Sequence, residues 1–187
     1  MSDILKDLCQ FLDRSPTAWH AVQEASRRLS SAKAIHLQEG EKWKLEKNKR
    51  YFVQRGGSIC AFSLPKQPPE KMTILAAHTD SPALKLKPNP EIVAEPYHLL
   101  ETEIYGGPLL NSWFNRDLAI AGRVVFEDKH GKCQEKLVFI DESPLFIPQL
   151  AIHLDREINE KGLMINKQDH LRPIFTLAKD KKNLLER

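Results

Sequence analysis

The sequence predicts an α/β fold: a mixed helix-and-sheet layer in the N-terminal part, followed by a strand-rich second module. Three observations carry this reading. Apolar residues recur at helical spacing between Ile4 and Leu29, and two glycine-centred hairpin patterns sit at Gly56-Gly57 and His130-Gly131. Between them a short apolar run, Met72–Ala77, stops abruptly at His78-Thr-Asp80-Ser-Pro82. Helices, a hairpin and an apolar strand in succession suggest layers packed around one sheet.

Taken in order, Ile4, Leu5, Leu8, Phe11 and Leu12 define a first helix that Ser2 can cap. Ser15-Pro16 predicts a second helix, with serine as N-cap and proline at the first helical position, and Trp19, Val22 and Leu29 form its apolar stripe. Tyr51-Phe-Val and Ile59–Leu64 read as two strands joined around Gly56-Gly57. A polar, proline-containing connector, residues 65–70, leads into the predicted Met72–Ala77 strand. After Pro82 the texture changes: Lys85 and Lys87 alternate with Leu84 and Leu86, and prolines at 88, 90 and 96 interrupt the chain. Arg123–Glu127 and Lys136–Ile140 flank the second hairpin, and Leu150, Ala151 and Leu154 predict a short helix that carries His153. A domain boundary is expected near residues 84–92, giving 1–86 and 87–187.

Composition removes several function classes. The chain has 187 residues, enough for a sizeable core, and its 28 Lys and Arg against 25 Asp and Glu are interspersed, leaving only +3. The basic tail 179–187 reads as a solvated face, so nucleic acid is not an expected partner. Cys9, Cys60 and Cys133 are odd in number and far apart, which suggests neither a thiolate zinc knuckle nor a disulfide framework. No apolar run approaches the roughly 20 residues of a membrane span, and the acidic N-terminal stretch is unlike a signal peptide. The chain reads as cytoplasmic, with no membrane partner.

The end of the Met72–Ala77 run is the one place where local pattern suggests chemistry. Ligands collect at the C-terminal edges of strands in α/β sheets. His78 and Asp80 project to the same side of an extended chain. A metal-binding imidazole needs its second nitrogen held by an acceptor, which Asp80 can supply. Read alone, the same residues also fit an Asx-type turn at Asp80-Ser-Pro82, with His78 a satisfied edge residue. His153 alone is more naturally a structural or solvent-facing helix residue. His20, His36, His98, His130 and His170 have no partner at ligand spacing. Gly106-Gly107 is not followed by the Gly-Lys-Ser/Thr of a phosphate loop; a tight turn at an interface, with Arg116 and Asp117 available for an ion pair, is the expectation. No Gly-x-Ser-x-Gly elbow is present, so a serine triad is not expected.

Together, several ordered segments resemble the M18 metallopeptidases, the aspartyl aminopeptidase and aminopeptidase I family. They are Ser15-Pro-Thr-Ala-Trp-His-Ala-Val22, Lys49–Arg55 with Ala61-Phe62, Ala76-Ala-His-Thr-Asp-Ser-Pro82 with Leu84–Pro88, Ile104-Tyr-Gly-Gly107, Trp113-Phe-Asn-Arg-Asp-Leu118, Leu150-Ala-Ile-His-Leu154 and His170-Leu-Arg-Pro-Ile174. The resemblance implies the N-terminal part of a zinc-exopeptidase α/β sandwich plus a β-rich inserted dimerisation domain, both incomplete. It implies an enzyme that removes N-terminal, often acidic, residues from peptides with two zinc ions, as a homo-oligomer assembled through the insertion.

Carried over by position, His78 resembles a metal ligand and Asp80 its orienting catalytic partner. His153 resembles a histidine that contacts substrate in a neighbouring subunit, with a zinc-ligand role as the lesser alternative. Two departures accompany the resemblance. Asn115 stands where the family usually has aspartate. The family sequences also continue past the point matched by Arg187, so the bridging Asp, a Glu-Glu pair, a further Asp and the last His are expected outside these residues; no Glu-Glu dipeptide occurs here. A catalytic zinc takes three protein ligands, so the isolated chain is expected to be inactive, with exposed sheet edges and apolar surface. The alternative is a non-catalytic remnant or assembly module of the same fold.

Overall fold

The computed structural model describes residues 2–177, and the basic tail read above as a solvated face lies outside them. The chain divides into two compact units: among the described residues, 2–81 with 121–138, and 82–120 with 139–177.

The first unit opens with α1 (Asp3–Asp13), whose N-cap Ser2 accepts the Leu5 amide, and continues with α2 (Ala18–Ser31). The cap of α2 departs from expectation. Thr17, rather than Ser15, receives the His20 amide, and the Ser15 hydroxyl is buried without a hydrogen-bond partner. Pro16 therefore precedes the cap, where its fixed φ shapes the entry rather than the first turn. Glu24, 5% exposed, lies 3.7 Å from Arg14, the C-cap of α1, and gathers two arginines of its own helix. Its carboxylate accepts from Arg27 Nε and Nη2, both at 2.7 Å, and from Arg28 Nε at 2.8 Å, while Arg28 Nη1 reaches Asp7 of α1 at 2.7 Å. The Arg27 hydrogen bonds, seconded by those from Arg28, hold the Glu24 carboxyl down to about 2.

Three strands follow: β1 (Ile35–His36), β2 (Arg50–Arg55) and β3 (Ser58–Ser63), ordered β1-β2-β3, with β1 parallel and β3 antiparallel to β2. The β2–β3 connection is the expected two-residue Gly56-Gly57 turn, with Gly56 at φ +54. Tyr51 and Phe52 are consecutive in β2 and so face opposite sides of the sheet, yet both are buried; they join Ala21, Val22 and Leu37 among the buried apolar residues of this unit. The Tyr51 hydroxyl accepts from the Glu46 amide at 2.6 Å, so this buried phenol keeps a polar partner.

The sequence predicts a strand at Met72–Ala77, and the structure corrects this. Residues 71–82 belong to no strand, and Ile74 and Leu75 are 78% and 92% exposed. The reason is a missing ladder: a strand exists only with a hydrogen-bonded neighbour, and no described strand runs beside this segment.

The second module is strand-rich as expected. β4 (Ala83–Ala94) and β5 (Tyr97–Tyr105) pair antiparallel, with a register shift between Leu86 and Glu91. Pro88 and Pro90 fall inside that shift, where their missing N–H groups cost the ladder nothing. After a 3-10 turn, Leu110–Trp113, come β6 (Asp117–Glu127), β7 (Cys133–Phe146), the short α3 (Ile158–Lys161) and β8 (Ile174–Leu177), in sheet order β4-β5-β8-β7-β6. Residues 121–138, the β6–β7 turn and its flanks, group with the first unit. At the turn, Asp128 accepts from the His130 and Lys132 amides and from Gln134, which lowers its carboxyl, chiefly through the Lys132 N–H.

Leu100, Leu145 and Phe175 form the core of the second unit, flanked by Leu86, Leu118 and Ile120. The helix predicted around Leu150–Leu154 is absent. Residues 152–154 form a turn closed by Leu154 N to Ala151 O at 2.8 Å, and Leu150 and Leu154 face solvent. An amphipathic stripe this short has nothing to pack against here, and isolated helical turns are unfavourable.

Candidate metal-binding corner

His78 and Asp80, paired on sequence grounds, meet in the first unit. His78 Nδ1 lies 2.6 Å from the Asp80 backbone carbonyl and 3.4 Å from its carboxylate Oδ1. A carbonyl can only accept, so Nδ1 is the donor, and the tautomer that donates there has its lone pair on Nε2. This is the arrangement a histidine needs to bind a metal through Nε2. The carbonyl makes the closer contact, with the carboxylate beside it. His78 is well exposed, while Thr79 and Asp80 beside it are half-buried.

Thr79, between the pair, reaches the other way. Its hydroxyl donates to the Gly57 carbonyl in the β2–β3 turn at 2.6 Å. At the end of the motif, Pro82 packs against Gly106: a Cβ on that glycine, at φ +71, would sit 3.4 Å from the proline ring. Within the second unit, Pro82 thus touches Gly106, and Ala83 pairs with Tyr105 immediately afterwards.

His153 belongs to the second unit, on the exposed 152–154 turn. The Trp113–Leu118 segment contributes to an open groove of about 350 Å³ lined by Ser112, Trp113, Arg116, Asp117, Leu118 and Ala119. Arg116, read as available for an ion pair with Asp117, donates to the Ser112 carbonyl at 3.3 Å. Asn115 sits at φ +53, a left-handed conformation that suits asparagine. Its side-chain oxygen accepts the Gln149 amide at 3.0 Å, and its own amide donates to Ile147 O.

Among the other histidines, His20 is buried at the start of α2, where its Nδ1 lies 2.7 Å from the Thr17 hydroxyl and desolvation lowers its pKa. That is the satisfied, structural state expected of a core histidine.

Zinc is the group the family resemblance implies, and the residues present fit one corner of such a site only. His78 offers a correctly prepared nitrogen, but no group of three His, Cys, Asp or Glu that could hold a metal ion exists among the described residues. Sequence reasoning found His78 and Asp80 and missed the Thr79 tether. Only its place between them hinted at it, since on an extended chain it faces away from both.

The family model for aminopeptidase I zinc metalloproteases (M18) matches residues 11–186. A probable aspartyl aminopeptidase of Ricinus communis is 44% identical over 178 residues, covering 92% of this chain and 36% of its own length. A probable M18 family aminopeptidase 2 of Streptomyces avermitilis is 44% identical over 176 residues, covering 93% of this chain and 40% of its own.

Among solved structures, a chain of the Ape4 and Nbr1 complex superposes with a TM-score of 0.88 at 39% identity, over 94% of this chain and 34% of that one. The M18 aminopeptidase of Thermotoga maritima gives 0.73 at 29% identity, over 91% and 38%. The chain therefore spans well under half the length of these relatives. No described helix is long and apolar enough to cross a membrane. With a family match over nearly its whole length and relatives of high identity, the chain belongs to the M18 aminopeptidase family.

Proposed function

We propose that this chain carries one corner of the metal site of a zinc-dependent aminopeptidase that removes N-terminal residues, acidic ones by preference, from peptides. The observation that carries the reading is the His78–Asp80 contact, which leaves Nε2 free for a metal inside a segment matched by the M18 family. In it, His78 is a metal ligand and Asp80 its orienting partner. His153 serves substrate contact in a neighbouring subunit, and zinc ligation by His153 is the lesser alternative. Acidic preference is supported by the aspartyl aminopeptidases of Ricinus communis and Dictyostelium discoideum among the relatives.

Residues 1–86 belong, in this reading, to the catalytic α/β domain. Residues 87–187 belong to an inserted β-rich domain through which a cytoplasmic homo-oligomer assembles. In this reading the remaining ligands of a two-zinc site lie outside the described residues, where no group of three ligands occurs, and the chain by itself does not hydrolyse peptides. The test is a graft: this chain replaces the matching segment of the Streptomyces avermitilis relative, and release of N-terminal aspartate is measured. Asp80→Asn should lower turnover by about 10–100-fold, the usual cost of losing an orienting partner, and His78→Ala by more. Unchanged turnover in the His78→Ala graft would overturn the assignment.

A second reading, a non-catalytic assembly or binding module of the same fold, is favoured by the lack of a three-ligand cluster among the described residues. A correctly assembled graft that takes up no zinc in equilibrium dialysis would support it.

A further inference from the structure

We propose that Thr79 is a positioning residue whose hydroxyl, latched to the Gly57 carbonyl, fixes His78-Thr79-Asp80 in the conformation that brings the imidazole to Asp80. Its importance to the reaction rests on the aminopeptidase reading above; the latch itself stands on local geometry. No ladder holds residues 71–82, so the backbone of the motif is not fixed by strand pairing. The half-buried Thr79 hydroxyl instead makes a 2.6 Å bond to the Gly57 carbonyl.

That acceptor is itself well anchored. Gly57 closes the β2–β3 turn, and a Cβ built on it would lie 3.2 Å from Ala18 Cβ, in the first residue of α2. A side chain at 57 would press the turn away from the helix and move the carbonyl that Thr79 uses. Support thus passes from the start of α2 to Gly57, then to Thr79, and so to the histidine and aspartate on either side. Because successive residues of an extended chain face opposite ways, a bond made by the middle residue aims its two neighbours without occupying their face.

The experiment follows 15N order parameters of residues 78–80 and the Gly57 carbonyl 13C shift in the 187-residue chain, with no metal and no turnover required. In the unsubstituted chain the order parameters should stand near the rigid-backbone value of about 0.85. In Thr79→Val, which keeps the shape and loses the donor, they should fall below about 0.6 and the Gly57 carbonyl shift should move. Thr79→Ser should restore both. Gly57→Ala should loosen residues 78–80 even with Thr79 intact, which keeps the test decisive if Thr79→Val fails to fold.

The latch is overturned if Thr79→Val leaves both signals unchanged, or if Thr79→Ser behaves like Thr79→Val, which would assign the effect to the methyl group. A shift change spread over α2, β2 and β3 with Thr79→Ser would also overturn it. These outcomes are independent of the aminopeptidase reading, which fails separately if His78→Ala leaves the graft's turnover intact.

Discussion

Phe52 and Ile74 both lie in short apolar runs that read as strands, yet Phe52 is 1% exposed and Ile74 is 78% exposed. Phe52 pairs with His36 on one side and Ala61 on the other, and its ring stacks on His36 at 4.7 Å between centroids. Ile74 has no strand on either side among the described residues. The difference teaches that an apolar run becomes a strand only when the chain also supplies its neighbours. The β2–β3 hairpin brings its own partner through a two-residue turn, whereas the 72–77 run has no partner strand beside it among the described residues and forms no strand.

The sharpest way to break this contrast is to cut into the packed side. Phe52→Ala should destabilise the chain by about 3–5 kcal/mol, the range for a fully buried aromatic, read as a fall in the urea midpoint. A loss below 1 kcal/mol would mean that β2 is not the centre of the first unit's core.

Next in size is the Glu24 clamp between α1 and α2. Glu24→Gln should cost about 1.5–3 kcal/mol at neutral pH, the scale of hydrogen bonds to charged groups. It also has a pH signature. The folded carboxyl sits at about 2, below the ordinary carboxylate value of about 4.3. Its contribution is therefore complete above that ordinary value and lost as pH falls towards 2. His20, whose pKa is lowered by desolvation, acts in the same direction at higher pH: the unfolded imidazole takes up its proton first, near 6.5, so stability falls on acidification from there. In Glu24→Gln the loss of stability between about pH 4.3 and 2 should shrink, measured by urea titrations across that range.

Smaller still is the capping pair. Thr17→Ala should cost about 1 kcal/mol, since Thr17 caps α2. Ser15→Ala should be neutral or slightly stabilising, because it removes a buried hydroxyl without a partner. A reversed order in thermal melts would return the cap to Ser15. The smallest effect is expected on the unpartnered side: Ile74→Asp should change stability by less than about 0.5 kcal/mol while reducing self-association, measured by sedimentation. A large loss of stability would show that the segment is packed after all.

What was legible in the sequence follows the same division between local and remote causes. The Ser2 cap, the Gly56-Gly57 hairpin and the His130-Gly131 turn are set by residues within a few positions of one another, and all are present. The α2 cap lies two residues beyond the expected one because Ser15 and Thr17 are both competent caps, and it is Thr17 whose hydroxyl meets the His20 amide and ring nitrogen. The Met72–Ala77 strand and the Leu150–Leu154 helix were misread because apolar periodicity reports a face to be buried, not the presence of something to bury it.

At the site, the spacing of His78 and Asp80 foretold their contact. It did not foretell that the Asp80 carbonyl would lie closer than its carboxylate, or that Thr79 would reach back to Gly57. Those depend on where a hairpin turn more than twenty residues upstream comes to rest.

The central claim is that the described residues hold a prepared histidine without, among them, the companions needed to keep a catalytic zinc. The most direct measurement is release of N-terminal aspartate or glutamate from a peptide by the purified 187-residue chain with zinc, manganese or cobalt added. No turnover above a metal-only blank is expected. Robust turnover that disappears in His78→Ala would contradict the claim.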